Sequence, residues 1–285
     1  MSKLKVSDFF AAQLNNHALS LFRIGRFMNA EKCWNRALLT ATMKETPPDT
    51  KDYIHIEQER QEQNVQQNHL FSFLQGPLKS FRFNVWRDVE GMRVYYDPVF
   101  IQISSKSEEK TIQKAIIYNL GIGYLWLRQH DEAHAHFSKA LSLSSQTESD
   151  THPSDIMILH NLGYVNFVKG RYSEAFSNYS EALRILQKSK GYYHPDVATC
   201  LNSIGVIAMY SFMENSGDGE KVEGFFTEVL AIYSAISFDE SSNKHTIDRV
   251  KRNIARIKSL RGEVQDLGPI YSLRQAVDKI LNGLV

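Results

Sequence analysis

The sequence has little cysteine and no long hydrophobic run. Only 2 of its 285 residues are cysteines, Cys33 and Cys200, and they form no CxxC pair. Small secreted scaffolds rely on many disulfides, so this scarcity favours a reducing, intracellular compartment, and we expect both thiols to be buried. Residues 197–213 form a charge-free stretch that is diluted by polar side chains. Without a run of about 18 strongly apolar residues, we expect no membrane-spanning helix.

The sequence also lacks a surplus of charge. It has 33 Lys and Arg against 32 Asp and Glu, which leaves a formal net charge of +1. Nucleic-acid binders usually depend on a basic surface, so this balance argues against a dedicated one. The first 21 residues have no continuous apolar core and contain Asp8, and the first arginine is Arg23. We therefore expect no secretory signal or mitochondrial transit peptide, and an intracellular location that is cytoplasmic or, as an alternative, nuclear.

Three segments repeat one arrangement of small and aromatic residues. In each, a small residue is followed by an alanine 12 positions later, an aromatic four residues after that alanine and a second alanine seven residues after it. Such coincident offsets indicate a structural repeat. The three sets are Ala18, Ala30, Trp34 and Ala37; Gly121, Ala133, Phe137 and Ala140; and Gly163, Ala175, Tyr179 and Ala182.

These spacings predict pairs of antiparallel helices. Apolar residues three and four apart mark one face of a helix. A small residue where two helices cross lets their backbones approach closely, and the aromatic side chain fills the adjoining gap. Between the two patterns, Gly25 or Gly170 supplies a left-handed helix ending. Each pair leaves an apolar face that needs a neighbouring pair to cover it.

These residues resemble the tetratricopeptide repeat, a helix-turn-helix unit that stacks into a right-handed superhelix. The steps from Gly121 to Gly163 and from Gly163 to Gly205 are both 42 residues. The run 191–198, GYYHPDVA, which continues into Leu201-Asn202, is similar to the kinesin-light-chain variety of the repeat. The resemblance implies an all-α, right-handed solenoid of helix pairs that acts as a protein-binding scaffold without catalysis.

The repeats divide the chain into four parts. We predict a first helix pair over 7–43, an insertion over 44–109, repeats two to four with the start of a fifth over 110–261, and a C-terminal capping helix over 262–285. In the fourth repeat the second helix is delayed by five residues, and Asn215–Gly219 is typical of a loop insertion.

The step from Ala18 to Gly121 is 103 residues, which is 61 more than the 42-residue step of the later repeats, and the insertion accounts for this excess. Residues 57–64 are polar and typical of a linker. Residues 81–89 alternate apolar and polar, and Glu90-Gly91 can turn into a second such run at 92–96. We predict a small β-hairpin here. Because a lone hairpin is marginally stable in water, we expect it to pack on the helices.

An asparagine recurs beside the small residue of the first helices. Asn16, Asn119 and Asn161 share one register, and Asn202 falls one residue earlier, as do Asn15 and Asn253. In the resembled family this part of the helix lines the concave groove, where asparagine amides bind the backbone of an extended peptide. An amide suits that task because it both donates and accepts. Alternatively, each asparagine caps a loop or faces water by itself.

Aromatic side chains accompany the asparagines and would hold the apolar anchors of a protein or peptide partner. They are equally explained as packing between repeats. A carboxylate clamp for acidic C-termini is not expected, since its places hold Ala12, Ala115, Met157 and Thr199, with Lys114 one residue away. The aromatic groove candidates are Tyr118, Trp126, His160, Tyr164, Phe167 and Tyr210.

Two other clusters are candidate sites. His130, His134 and His136 form HDEAHAH, which is neither HExxH nor accompanied by a phosphate-binding loop, so we expect surface histidines, no metal, no cofactor and no enzyme. The helix predicted over 244–261 has seven basic residues against Asp248 alone. Binding of nucleic acid or an acidic surface through it is the alternative function, and a solvated stack-ending helix is the simpler explanation. The basic candidates are Arg249, Lys251, Arg252, Arg256 and Lys258.

Overall fold

A computed structural model of the chain describes residues 6–42, 92–96, 98–101, 109–144, 153–215, 218–236 and 240–263. All regular secondary structure within these residues is α-helical, which confirms the predicted all-α class for this part of the chain. The helices are α1 (Val6–Arg23), α2 (Phe27–Thr42), α3 (Glu109–Trp126), α4 (His130–Ser142), α5 (Pro153–Val168), α6 (Tyr172–Lys190), α7 (Pro195–Asn215), α8 (Gly219–Ala235) and α9 (Glu240–Leu260).

The described chain forms two compact units, and the division falls inside α6. The N-terminal unit contains α1 to α5, α6 as far as Ile185, and the non-helical residues 93–96 and 98–101. The C-terminal unit contains Met92, the remainder of α6, and α7 to α9. Each unit has its own set of buried apolar side chains.

Close helix crossings hold the N-terminal unit together. Along this unit α1 packs on α2, α2 on α3, α3 on α4 and α4 on α5. A Cβ added to Gly121 would lie 2.6 Å from the Phe137 ring, and one added to Gly163 would lie 2.4 Å from the Tyr179 ring. Both rings are completely buried. The predicted role of the small residue and its aromatic partner is therefore confirmed.

The helix pairs of this unit share one type of turn. Gly25 and Gly170 end α1 and α5 with φ of 78° and 72°, as predicted. After α3 the same position is Arg128, a non-glycine residue with φ of 60°. In that turn Gln129 N donates to Tyr124 O at 2.9 Å and Arg128 N donates to Leu125 O at 3.1 Å, which is the Schellman pattern.

The C-terminal unit repeats the packing rule. A Cβ on Gly205 of α7 would lie 2.8 Å from the Phe226 ring of α8, and α8 also packs on α9. Asp218 caps α8, since its carboxylate accepts from Glu220 N at 3.0 Å and from Lys221 N at 3.2 Å. The predicted loop at 215–219 is shorter than expected, because α7 continues through Asn215 and α8 begins at Gly219.

The predicted hairpin is not confirmed. Its first strand, its turn and the polar linker lie outside the described residues. Residues 92–96 and 98–101, where the second strand and a further β-type run were predicted, form no strand in the structure as described. The capping helix predicted over 262–285 also lies outside the described part, apart from its first two residues.

One described helix is long and apolar enough to cross a membrane by length and composition. It covers Pro195–Glu214, with a mean hydropathy of 1.3, and 67% of its most apolar window is buried within the protein. Such burial is typical of a core helix. Cys33 and Cys200 form no disulfide and both are buried, so the expected burial of the two thiols is confirmed.

Candidate functional site

Three first helices of the N-terminal unit place an asparagine at the same position. Asn16 lies on α1, Asn119 on α3 and Asn161 on α5, in each case two residues before the small residue of the helix crossing. Asn119 and Asn161 are completely buried. Buried amides require hydrogen-bond partners, and these partners identify the site.

The asparagines bind the backbone of residues from the same chain. Asn161 accepts from Tyr95 N through Oδ1 and donates to Tyr95 O through Nδ2, both at 2.8 Å. Asn119 makes the same pair of bonds to Val99, at 2.6 Å and 2.8 Å. Asn16 repeats it with Ile101, at 3.0 Å for both bonds. We call residues 93–96 and 98–101 the cis segment.

A fourth asparagine connects the ladder across helices. Asn15 accepts from Asn119 Nδ2 at 2.7 Å and donates to Asn16 Oδ1 at 3.1 Å and to Val99 O at 3.2 Å. These bonds fix which way each amide faces, since both its oxygen and its nitrogen have partners. Asn15 and Asn119 thereby link α1 directly to α3 beneath the cis segment.

The bonding pattern requires a nearly extended chain. Between Tyr95 and Ile101 the segment passes from α5 to α3 to α1 in six residue steps. Val99 and Ile101 are two residues apart, and each turns both its N–H and its C=O toward an asparagine. Backbone groups of alternate residues face the same side in an extended chain. The described residues 99–101 therefore lie on the helices much as a strand would, with side chains as the backbone partners.

Aromatic side chains complete the site. The His160 ring lies between Tyr95, at a centroid distance of 5.4 Å, and Tyr179, at 4.9 Å, with edge-to-face geometry on both sides. Trp126 donates from Nε1 to Tyr96 O at 3.3 Å and its ring lies 5.6 Å from that of Tyr96. We call this surface the asparagine groove and define it by Asn15, Asn16, Asn119, Trp126, His160, Asn161 and Tyr179.

The other predicted groove residues are buried in the helices. Tyr118 packs on Phe137, and its hydroxyl accepts from Asn161 Nδ2 at 3.4 Å, so it supports the asparagine from behind. Phe167 is buried against Tyr172, and Tyr164 is also buried. Asn202 and Tyr210 are buried residues of α7 in the C-terminal unit.

The sequence prediction missed two contributors. The first is the cis segment itself, whose alternating pattern was assigned to a hairpin. The second is Tyr179, which was predicted only as the packing aromatic but also donates its hydroxyl to Arg93 O at 3.0 Å. A signal was present, because the other repeats have Trp34, Phe137 or Phe226 at this place and none of these side chains has a hydroxyl.

Lys114, the lysine nearest to the places of a carboxylate clamp, has another role. It is buried and paired with Asp155, which also accepts from Ser144 Oγ at 2.7 Å. The ammonium group therefore neutralises a buried carboxylate between α3 and α5. The absence of a clamp for acidic C-termini stays a prediction.

The basic helix α9 uses part of its charge within its own unit. Lys258 Nζ lies 3.2 Å from Glu223 of α8, and Arg261 just beyond the helix lies 2.9 Å from the same carboxylate. Val250 and Ile257 of the same helix are fully buried. Among the other basic candidates, Lys251 and Arg252 are exposed, Arg256 is partly buried and Arg249 contacts His245 at 3.0 Å.

The histidine cluster is partly buried against basic residues. Burial and then the positive charges of Arg128 and Lys169 lower the pKa of His130. Burial, Lys169 and Arg171 lower the pKa of His134 in the same way. Both shifts favour the neutral form of the imidazole ring. Within the described ranges, no three His, Cys, Asp or Glu side chains converge closely enough to hold a metal ion.

Comparison with known proteins identifies the repeat. The family model described as tetratricopeptide repeat matches residues 113–188 and again 155–235. These ranges extend from residue 113 of α3 to the end of α8 and therefore include Asn119 and Asn161, whereas Asn16 precedes them. No curated protein matches the chain. The match identifies residues 113–235 as similar to tetratricopeptide repeats, in agreement with the helix pairs found there, and it does not confirm the kinesin-light-chain variety.

Proposed function

We propose that this protein is a non-catalytic interaction scaffold whose asparagine groove binds an extended segment of a partner protein. Tetratricopeptide repeats generally mediate protein–protein interaction, which supports the scaffold role. The observation that carries the groove proposal is the set of three asparagines that each bond both the N–H and the C=O of one residue, at Tyr95, Val99 and Ile101.

This geometry recognises a backbone rather than a particular side chain. Each asparagine amide supplies one donor and one acceptor, so it pairs with a residue much as a neighbouring β-strand does. Individual bonds of this kind contribute about 0.5–1.5 kcal/mol each after the loss of water contacts. Three such pairs in register therefore provide affinity for extended chains, while the aromatic side chains around them select the sequence.

The aromatic contacts indicate which sequence is preferred. Trp126 and His160 each meet a tyrosine of the cis segment, Tyr96 and Tyr95 respectively. Edge-to-face aromatic pairs contribute about 0.5–1.5 kcal/mol beyond the area that they bury. The groove thus favours segments with aromatic residues at this end.

The test compares partner recovery by matched double variants. Asn119→Ala with Asn161→Ala removes four backbone hydrogen bonds from the groove, and we expect it to lose partners that the wild-type protein recovers in a pull-down. The control is Asn29→Ala with Asn35→Ala, since both of these asparagines are exposed on α2. Circular dichroism checks that all variants remain helical. Recovery of the same partners by both double variants would contradict the proposal.

The alternative function through α9 has no comparable support. Two basic residues at its C-terminal end, Lys258 and Arg261, are paired with Glu223, so part of the positive charge is neutralised within the unit. We therefore retain the protein-binding proposal alone.

Three finer expectations from the sequence stay predictions. They are the right-handed stacking of the helix pairs, the kinesin-light-chain variety of the repeat and the cytoplasmic location. The family match agrees with tetratricopeptide repeats in general and supports no narrower assignment.

A further inference from the structure

We propose that the cis segment is an exchangeable occupant of the asparagine groove, which a partner segment of similar chemistry displaces. This inference rests on the proposed function and adds its regulation. The groove that would bind a partner is already filled by the cis segment of the same chain, from Arg93 to Ile101. Binding in trans therefore requires that this segment leave.

The contacts themselves permit exchange. Hydrogen bonds from five groove side chains reach main-chain atoms of the segment, namely those of Asn15, Asn16, Asn119, Trp126 and Asn161, and Tyr179 adds a sixth side chain. Every extended polypeptide presents the same N–H and C=O groups at the same spacing. A second segment in the same register would restore these bonds, so replacement leaves no buried amide without a partner.

The side chains of the segment define the partner chemistry. Tyr95 and Tyr96 contact His160 and Trp126, and Ile101 is 8% exposed. Phe100, by contrast, is 53% exposed. We infer that the partner carries two adjacent aromatic residues followed, five residues after the second, by a branched aliphatic residue, with little restriction at the position of Phe100.

Tethering explains how such a segment restrains binding. A linked segment competes at an effective concentration on the order of millimolar. If its own intrinsic dissociation constant is about 10–100 µM, the groove is free for only about 1–10% of the time, which weakens a competitor by about tenfold to a hundredfold. Partners that match the groove in only part of the segment would be excluded.

The experiment uses the full chain with and without the occupant. In the open variant, residues 93–101 are replaced by a Gly/Ser sequence of equal length. The probe is a fluorescein-labelled synthetic peptide with the sequence of residues 92–103, MRVYYDPVFIQI. We expect fluorescence anisotropy to show binding to the open variant and at least about tenfold weaker binding to the wild-type chain.

Two N-methylated peptides distinguish binding of the probe in the groove from non-specific binding of the probe to the protein surface. N-methylation of the probe at the position of Val99 removes the N–H that donates to Asn119, and should weaken binding to the open variant by about tenfold. N-methylation at the position of Phe100 is the control. In an extended chain the N–H of this residue points away from that of its neighbours, so we expect less than about a threefold change.

Three outcomes would be decisive against one proposal or the other. Equal binding to the wild-type chain and the open variant would overturn the exchange and leave the proposed function standing. A helical open variant that does not bind the probe would overturn the proposed function, and the exchange with it. An open variant that has lost its helical circular dichroism would overturn the exchange alone, because the segment would then be a constitutive part of the fold.

Hydrogen exchange tests the same point on the unaltered chain. The amides of Tyr95, Val99 and Ile101 donate to groove asparagines, so they are protected only while the segment is bound. If the segment leaves the groove while the helices stay folded, the hydrogens of these three amides should exchange with solvent at least about tenfold faster than those of the interior amides of α3 and α5. Exchange at the slow rate of the helices would show that the segment leaves only on unfolding, which contradicts the proposal.

Discussion

The N-terminal and C-terminal units use one packing rule and differ in their polar groups. In the first, Gly121 meets Phe137 and Gly163 meets Tyr179, and in the second Gly205 meets Phe226, each at a distance that a Cβ would not allow. The N-terminal unit then commits its asparagines to the backbone of the cis segment. The C-terminal unit instead places the Glu223 carboxylate between two basic side chains.

This difference separates the contacts that stabilise the repeat from the contacts that we propose serve its function. The glycine and aromatic pairs are apolar, local and shared by both units, so they determine how two helices of a pair cross. The asparagine ladder is polar and lies on one face of the N-terminal unit, where it is satisfied by a chain that belongs to none of the helices.

The largest effect is expected where the shared packing rule is broken. Gly163→Ala would place a Cβ 2.4 Å from the buried Tyr179 ring, and Gly205→Ala would place one 2.8 Å from Phe226. Overpacking of this kind typically costs about 1–3 kcal/mol, and the closer contact should cost more. Urea unfolding should therefore show a loss of stability in both units, larger for the Gly163 variant.

Gly224→Ala is the matched control for this prediction. Gly224 lies within α8, but no atom lies within 4 Å of its added Cβ. Alanine is the better helix former, so this variant should gain about 0.5–1 kcal/mol. Stabilisation by all three substitutions would show that the close crossings do not constrain the fold.

A smaller effect should distinguish Tyr179 from the other packing aromatics. Tyr179→Phe keeps the buried ring and removes only the hydroxyl that donates to Arg93 O at 3.0 Å. The loss of one partly buried hydrogen bond costs about 1 kcal/mol. We also expect faster hydrogen exchange at Tyr95, with the interior amides of α5 unchanged. If hydrogen exchange became equally faster at Tyr95 and in α5, the hydroxyl would stabilise the whole fold and not the groove contacts in particular.

A glycine in the turn after α3 should stabilise the protein. Arg128 has φ of 60°, where a Cβ costs about 1 kcal/mol and glycine is free of this strain. Arg128→Gly should therefore raise the free energy of unfolding by about 0.5–1 kcal/mol. Arg128→Gln, which removes the charge and keeps the Cβ, is the control and should change little. A gain from glutamine as large as that from glycine would identify charge, and not backbone conformation, as the cause.

The smallest effect is expected at the surface ion pairs. Glu223→Gln breaks the contacts with Lys258 and Arg261, and partly exposed pairs contribute about 0.2–1 kcal/mol. The loss should diminish in about 1 M salt, because the Debye length there is about 3 Å. Glu181→Gln, which removes the exposed pair with Arg184, should have less effect still. A loss for Glu223→Gln that is independent of salt would point to packing instead of charge.

Local features of this structure were predictable and non-local ones were not. The offsets that identified Gly121, Ala133 and Phe137 lie within one helix pair, where residue size and helical period decide the contact. The common register of Asn119 and Asn161 followed from the same period. The backbone groups that these asparagines bond could not be predicted in this way, since Tyr95 is 66 residues from Asn161 and Val99 is 20 from Asn119.

The hairpin prediction had a physical reason. An extended segment whose N–H and C=O groups face a neighbour at every second residue has the same alternation of apolar and polar residues whether that neighbour is a strand or a row of asparagines. Local pattern at 92–96 was therefore insufficient to choose between them. Arg128 was unpredictable for a different reason, because arginine has no preference for positive φ and only the surrounding turn imposes it.

The row of N–H groups that donate to the asparagines also determines where proline can stand in a bound segment. Tyr95, Val99 and Ile101 each give their N–H to an asparagine, so proline at any of these places would leave an amide oxygen of the groove without its donor. The native segment carries its single proline at Pro98, between two of these places. Proline also favours extended backbone in the residue before it and in its own φ. In a proline scan of a bound peptide, binding should therefore be lost at three positions. Their spacing would identify the register of the peptide in the groove.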